Sequence, residues 1–248
     1  MLTAAAICPH PPLLIPLAAG GAGDADLTAL REACQAAVAT LAAADLLVVV
    51  GGGDQSVRYP DDAAGSLAGY GVPVTVGEGP AVLPLPLTVG RWLLARSLPS
   101  GPPARWQAVA ADAAPADCLR LGAELARLAP RVAILAMGDG PGRRARRAPG
   151  AVDAAADRYD KQVADAVARA DAGALARLDA RLDSELFVAG RAAWQVLAGA
   201  VLADSALADA VPRGSWTGSV RYAAAPFEVS YLVATLRPHQ RARTGSRV

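Results

Sequence analysis

The sequence predicts a single α/β domain with a central mixed, mainly parallel sheet flanked by helices. Three observations lead there. The runs Leu2–Ile7, Leu46–Val50 and Arg131–Met137 are continuously apolar or nearly so, as expected of strands covered on both faces rather than one. Between these runs lie stretches whose apolar residues recur at helical spacing, so strand alternates with helix as in crossover connections of a parallel sheet. The chain has 248 residues, enough for one large domain, and breaks such as Ser100-Gly101-Pro102-Pro103 are too short to be interdomain linkers.

In order, the first strand leads into Cys8-Pro9-His10-Pro11-Pro12, and a helix is expected from about Leu27 to Ala44, with Leu30, Cys34, Val38 and Leu41 on one face. The strand Leu46–Val50 ends in a turn, Gly51-Gly52-Gly53-Asp54-Gln55-Ser56. Val72–Val76 reads as an edge strand because Pro73 cannot donate to a ladder. A helix from about Leu87 to Leu98 follows Pro84 and Pro86, then a strand at Trp106–Ala110 and a helix from Ala116 to Leu128. The strand Arg131–Met137 runs straight into Gly138-Asp139-Gly140-Pro141-Gly142, followed by a cluster of Arg143, Arg144, Arg146 and Arg147. Asp153 is a suitable N-cap for a helix to about Ala170, carrying Tyr159, Val163 and Val167 at four-residue intervals. A short helix is expected at Ala174–Leu182 and a longer one, capped by Ser184, from Glu185 to about Leu202, with Trp194 and Leu197 inward. Ser219–Tyr222 and Phe227–Thr235 read as closing strands. The domain spans 1–236, and 237–248 reads as a disordered tail.

Composition narrows the function classes. The net charge of +1 gives no overall field for nucleic acid or an anionic membrane, and no aromatic residues interleave the arginines. Three cysteines, Cys8, Cys34 and Cys118, have no metal-type spacing and fit reduced thiols in a cytoplasmic protein. No charged leader precedes the first apolar run, and Arg191 interrupts the longest apolar helix candidate, Leu186–Val201, so no membrane segment is expected.

Ligand sites of open α/β sheets form outside the carboxyl ends of the strands, which makes His10 the leading candidate residue. Prolines on both sides restrict its backbone to extended or turn conformations. The only other histidine is His239, in the polar stretch after Thr235. Three turns are expected to meet at one sheet edge: the His10 turn, Gly51–Ser56, and Gly138–Arg147. One histidine with carboxylates from Asp54 and Glu185 could hold a divalent metal such as iron, manganese or zinc. The same residues also fit structural roles, with Asp54 satisfying its glycine turn and Glu185 the first turn of its helix. Asp139, Arg143 and Arg144 are the substrate-binding candidates, the arginines through bidentate contacts to a carboxylate or phosphate. Neither glycine turn fits a dinucleotide or Walker pattern. Ser56 and Ser184 have no histidine nearby in sequence to act as base. Cys8 is two residues from His10, where nucleophilic chemistry competes with burial at the strand end.

The stretch Ala6-Ile7-Cys8-Pro9-His10-Pro11-Pro12-Leu13-Leu14-Ile15-Pro16 resembles the opening motif of the class III extradiol ring-cleavage dioxygenase B-subunit family, which includes protocatechuate 4,5-dioxygenase beta-type and Memo-like proteins. Gly138-Asp139-Gly140 and Glu185–Gln195 are similar to a branch of it, and the resemblance spans most of the chain. It implies the extradiol B-subunit fold, a non-haem ferrous iron held by two histidines and a glutamate, and a further histidine as acid and base. His10 matches the first ligand and Glu185 the carboxylate. Gly53-Asp54 stands where the second histidine is expected, and Pro141-Gly142-Arg143 supplies no acid–base histidine. Two readings follow from the resemblance. One is an iron- or other metal-dependent oxidoreductase acting on a catecholic or other small anionic substrate, with Arg143 and Arg144 orienting its carboxylate. The other is a family member without metal or catalysis that binds a small ligand or a protein partner in the same cleft. The family tendency to dimerise makes a homo-oligomer an expectation of either.

Overall fold

The computed structural model describes residues 1–19, 24–142, 154–208 and 215–239. Its strands are β1 (Leu2–Cys8), β2 (Leu46–Gly53), β3 (Val57–Tyr59), β4 (Ala64–Ser66), β5 (Thr75–Val76), β6 (Ala81–Leu83), β7 (Ala104–Ala110), β8 (Val132–Met137), β9 (Trp216–Ala224) and β10 (Tyr231–Pro238). The helices are α1 (Ala25–Ala39), α2 (Leu85–Ser97), α3 (Pro115–Leu125), α4 (Ala154–Ala168), α5 (Ala172–Ala176), α6 (Ala180–Leu186) and α7 (Arg191–Ala208).

The apolar runs form the centre of a seven-stranded mixed sheet in the order β3-β7-β2-β8-β1-β10-β9. β7, β2, β8 and β1 are mutually parallel, while β3, β10 and β9 pair antiparallel at the flanks. Val48, Val50, Ile134 and Ala136 pack on one face with α3, α4, α5 and α7; Val49, Leu135 and Met137 pack on the other with α1 and α2. Burial on both faces explains why these strands show no polar alternation. Each fully buried valine, leucine or isoleucine contributes roughly 1.5–3 kcal/mol through removal of apolar surface from water. The architecture is therefore α/β, a large mixed sheet flanked by helices.

Several elements depart from the expected bounds for identifiable reasons. Asp24 accepts hydrogen bonds from the Asp26 and Leu27 N–H groups, which starts α1 two residues early, and the helix ends at Ala39. β2 continues through its three glycines, pairing Gly51, Gly52 and Gly53 with Ala108, Val109 and Ala110. At Gly51 a Cβ would lie 2.6 Å from Pro86 Cβ, so the glycine lets α2 pack directly against the strand. Of Val72–Val76 only Thr75–Val76 is strand; it is an edge strand as expected, but of a separate three-stranded sheet ordered β5-β4-β6, and Pro73 lies before it. The segment expected as one helix at Ala174–Leu182 is divided between α5 and α6. Ser184 and Glu185 belong to the end of α6 rather than the start of a long helix, because Phe187 turns left-handed at φ 55° and α7 begins only at Arg191. Phe227 and Glu228, expected in a strand, form the turn between β9 and β10 with φ of 59° and 62°. β10 extends through Arg237 and Pro238, residues expected in a disordered tail. Asp153 lies outside the described residues. Among those described, no helix is long and apolar enough to cross a membrane.

Candidate functional site

The ends of β1 and β8 are tied laterally by the Gly138 N–H, which donates to the Cys8 carbonyl at 2.9 Å. This places His10, two residues past β1, beside Asp139. The His10 backbone N–H donates to Asp139 Oδ1 at 2.7 Å, and His10 Nδ1 lies 3.5 Å from the same oxygen. His10 is 7 % exposed, and its Nδ1 is buried with no hydrogen-bond partner among the described residues. A proton on Nδ1 would face the carboxylate and leave Nε2 with a free lone pair. The loop after His10 is anchored to α1 by Arg31, whose Nε and Nη2 donate to the Leu14 and Leu13 carbonyls, both at 2.8 Å.

Asp139 is held in turn by a clamped backbone. Its carbonyl accepts the Ala189 N–H at 3.1 Å, Gly140 N–H donates to the Ser230 carbonyl at 2.8 Å, and Gly142 N–H donates to the Leu186 carbonyl at 3.0 Å. A Cβ at Gly138 would run into Gly190 Cα, so this turn packs closely on the junction between α6 and α7.

Of the candidates, the structure brings His10 and Asp139 together. Asp54, just past the end of β2, and Glu185, in the last turn of α6, are both exposed. Among the described residues, no group of three or more histidine, cysteine, aspartate or glutamate side chains is placed to hold a metal ion. The set His10, Asp54 and Glu185 is therefore not assembled as a metal centre. Two local causes are visible: β2 carries the chain past its glycines before Asp54, and the left-handed turn at Phe187 leaves Glu185 on a separate helix from Trp194. The described residues do not fit the iron ligand set that the resemblance implies. Arg143 and Arg144 lie outside them.

The other nucleophile candidates take structural positions. Ser56 Oγ accepts the Ala110 N–H at 3.0 Å. Cys8 is fully buried, as is Cys34 of α1; burial first, then the neighbouring Cys8 and Asp139, pushes the Cys34 thiol well above its ordinary value. That raised value makes Cys34 a poor nucleophile, and full burial keeps Cys8 out of reach of a substrate.

A second polar cluster, not anticipated from sequence, lies within the helical layer. Arg191 is 3 % exposed, with Nε 2.9 Å from Asp183 Oδ2 and Nη1 donating to Gln195 Oε1 at 2.8 Å. Its guanidinium also donates to the Ala111 and Ala113 carbonyls, while Gln195 Nε2 donates to those of Ala176 and Leu178. The signal was present as a lone arginine in an apolar helix, since a charge there survives burial only when paired. Burial pushes the Asp183 carboxyl up to about 6, against the opposing pull of the Tyr159 hydroxyl and Arg191. The folded state thus holds this proton more tightly than the unfolded chain, whose aspartates titrate near ~3.9. Its contribution to stability is fully present below the unfolded value and is lost as pH rises through about 6. Between pH 7 and pH 4, wild type should gain about 2 kcal/mol relative to Asp183→Asn, read from urea unfolding at each pH. A difference that stays flat across that window would contradict the raised value.

No family model matches the chain, and no curated protein matches it. Among solved structures, it is similar to the crystal structure of uncharacterized protein JW3007 from Escherichia coli K12. The TM-score is 0.56 with 14 % sequence identity, over 95 % of this chain and 99 % of that one. This likeness shows a shared fold across nearly the whole of both chains.

Proposed function

We propose that the chain is a member of the class III extradiol dioxygenase B-subunit-like group that binds a small catecholic or other anionic molecule beside His10 and Asp139, without the group's iron. The observation that carries this reading is the paired His10 and Asp139 at the carboxyl end of the central strands, with Asp54 and Glu185 left exposed and unassembled. The site lies where ligands of open α/β sheets bind. Asp139 accepts the His10 backbone N–H and sits 3.5 Å from Nδ1, and with a proton on Nδ1 the ring's Nε2 would accept a hydrogen bond from a ligand hydroxyl. That arrangement supports recognition; a ring-cleaving oxidoreductase would in addition need a bound metal and a second group to move protons.

Calorimetric titration with 3,4-dihydroxybenzoate in the presence of a chelator tests it. Binding is expected in the wild type and should weaken at least ~10-fold in His10→Ala, equivalent to about 1.4 kcal/mol. Absence of binding overturns the proposal. Binding that requires added ferrous ion and consumes oxygen overturns it in favour of the metal-dependent oxidoreductase.

A further inference from the structure

The turn after β8 reaches across the end of β1 to the start of β10. Gly140 N–H donates to the Ser230 carbonyl at 2.8 Å and Ser230 N–H donates to the Pro141 carbonyl at 3.0 Å, while β1 lies between β8 and β10 in the sheet. Tyr231 is thereby held close to the His10–Asp139 pair. Continuing the antiparallel register of Ile7 with Ala234, His10 falls level with Tyr231.

Alternation along the strands puts the three side chains on one face. Cys8, Met137, Tyr231 and Val233 pack in the layer that contains α1, whereas Leu232 and Ala234 pack in the layer that contains α7. A Cβ at Gly138 would meet Gly190, and one at Gly140 would meet Ser230 and Asp160, so both glycines face the α4 and α7 side. Asp139, between them, faces the α1 side. His10 joins it there, because its N–H and its Nδ1 both lie against Asp139 Oδ1.

Tyr231 is 5 % exposed. A tyrosine so deeply placed usually gives its hydroxyl a partner, yet among the described residues the Tyr231 hydroxyl has none. Burial first, then the charge of Asp139 and the neighbouring Tyr222, pushes this phenol up to about 12, so at neutral pH the group is a donor. His10 Nε2 is an acceptor when Nδ1 carries the proton, which leaves donation to the ligand without another side chain among these three. The charge of Asp139 disfavours a second anion beside it, so the oxygen that suits Tyr231 is an uncharged hydroxyl rather than a carboxylate.

We propose that Tyr231 is a third ligand-contacting side chain of the His10 site, its hydroxyl donating to the ligand hydroxyl that His10 does not engage. The inference rests on the binding reading of His10 and Asp139.

Calorimetric titration in the presence of a chelator, with 3,4-dihydroxybenzoate and with 3- and 4-hydroxybenzoate, tests it on wild type and Tyr231→Phe. Wild type should bind the dihydroxy compound about 10-fold more tightly than the tighter of the two monohydroxy compounds, and in Tyr231→Phe that ratio should fall to about 1. Because the hydroxyl has no partner within the protein, the melting temperature of Tyr231→Phe should match wild type. A ratio in Tyr231→Phe equal to that of wild type overturns this inference and leaves the His10 reading standing. A melting temperature lowered by more than about 3 °C, or a variant that does not fold, assigns the hydroxyl a structural role and overturns it as well. No binding of any of the three compounds to wild type overturns the His10 reading and this inference with it.

Discussion

Replacing Arg191 with leucine should lower the unfolding free energy by about 4 kcal/mol, measured by urea denaturation with an unchanged m-value. The guanidinium is buried, and it is the partner of Asp183 Oδ2 at 2.9 Å and of Gln195 Oε1 at 2.8 Å. Without it, a carboxylate at 5 % side-chain exposure loses its charged partner, and the carbonyls of exposed Ala111 and half-buried Ala113 each lose a donor. An uncompensated buried charge is among the most costly defects a substitution can create. Removing both charges together, in Arg191→Leu with Asp183→Leu, should cost less than the sum of the single changes, by on the order of 2 kcal/mol of coupling. A loss below about 1 kcal/mol for Arg191→Leu would mean that water reaches the cluster. The cluster matters to the site because it joins α6 and α7, the two helices whose junction grips the backbone around Asp139.

Gly122→Ala should destabilise by about 3 kcal/mol, the upper range for overpacking a tight contact. Intrinsic propensity alone predicts the opposite sign, because alanine is favoured over glycine inside a helix by about 1 kcal/mol. Gly122 lies in α3 where that helix crosses α7, and a Cβ there would run into the Val196 carbonyl oxygen and come 2.7 Å from Ala200 N. Across the same crossing, a Cβ at Gly199 would meet the Leu119 carbonyl. Both obstacles are backbone, so no rotamer change relieves them and the helices must separate. Thermal and urea unfolding of the single variant decide between the two signs; stabilisation would show that the helices can move apart freely.

The fold was legible wherever burial alone decided the pattern. The runs Leu46–Val50 and Val132–Met137 are apolar because both faces of the sheet are covered, and that needs no knowledge of partners. The expected helix from Leu87 to Leu98 was close to α2 for the same reason. Elements set by close backbone approach were not legible. Gly51–Gly53 reads as a turn by composition, yet it continues β2 because α2 presses Pro86 against it. Phe187 and Phe227 adopt left-handed conformations that their side chains do not advertise, and these two residues displaced Glu185 from the expected helix start and shortened the last strand. Within the site, His10 was legible from its position after the first strand, and its contact with Asp139 follows from the parallel pairing of β1 with β8. Trp194 was expected to face inward, but that it walls a cavity depends on what α4 and the β9–β10 hairpin place opposite, which no local pattern records.

The most direct measurement is iron content after anaerobic ferrous reconstitution and desalting, on wild type and His10→Ala in parallel. Neither protein is expected to retain stoichiometric iron, because among the described residues the His10–Asp139 pair is not part of any group of three or more histidine, cysteine, aspartate or glutamate side chains placed to hold a metal. One iron per chain in wild type, lost in a folded His10→Ala, would contradict an iron-free cleft.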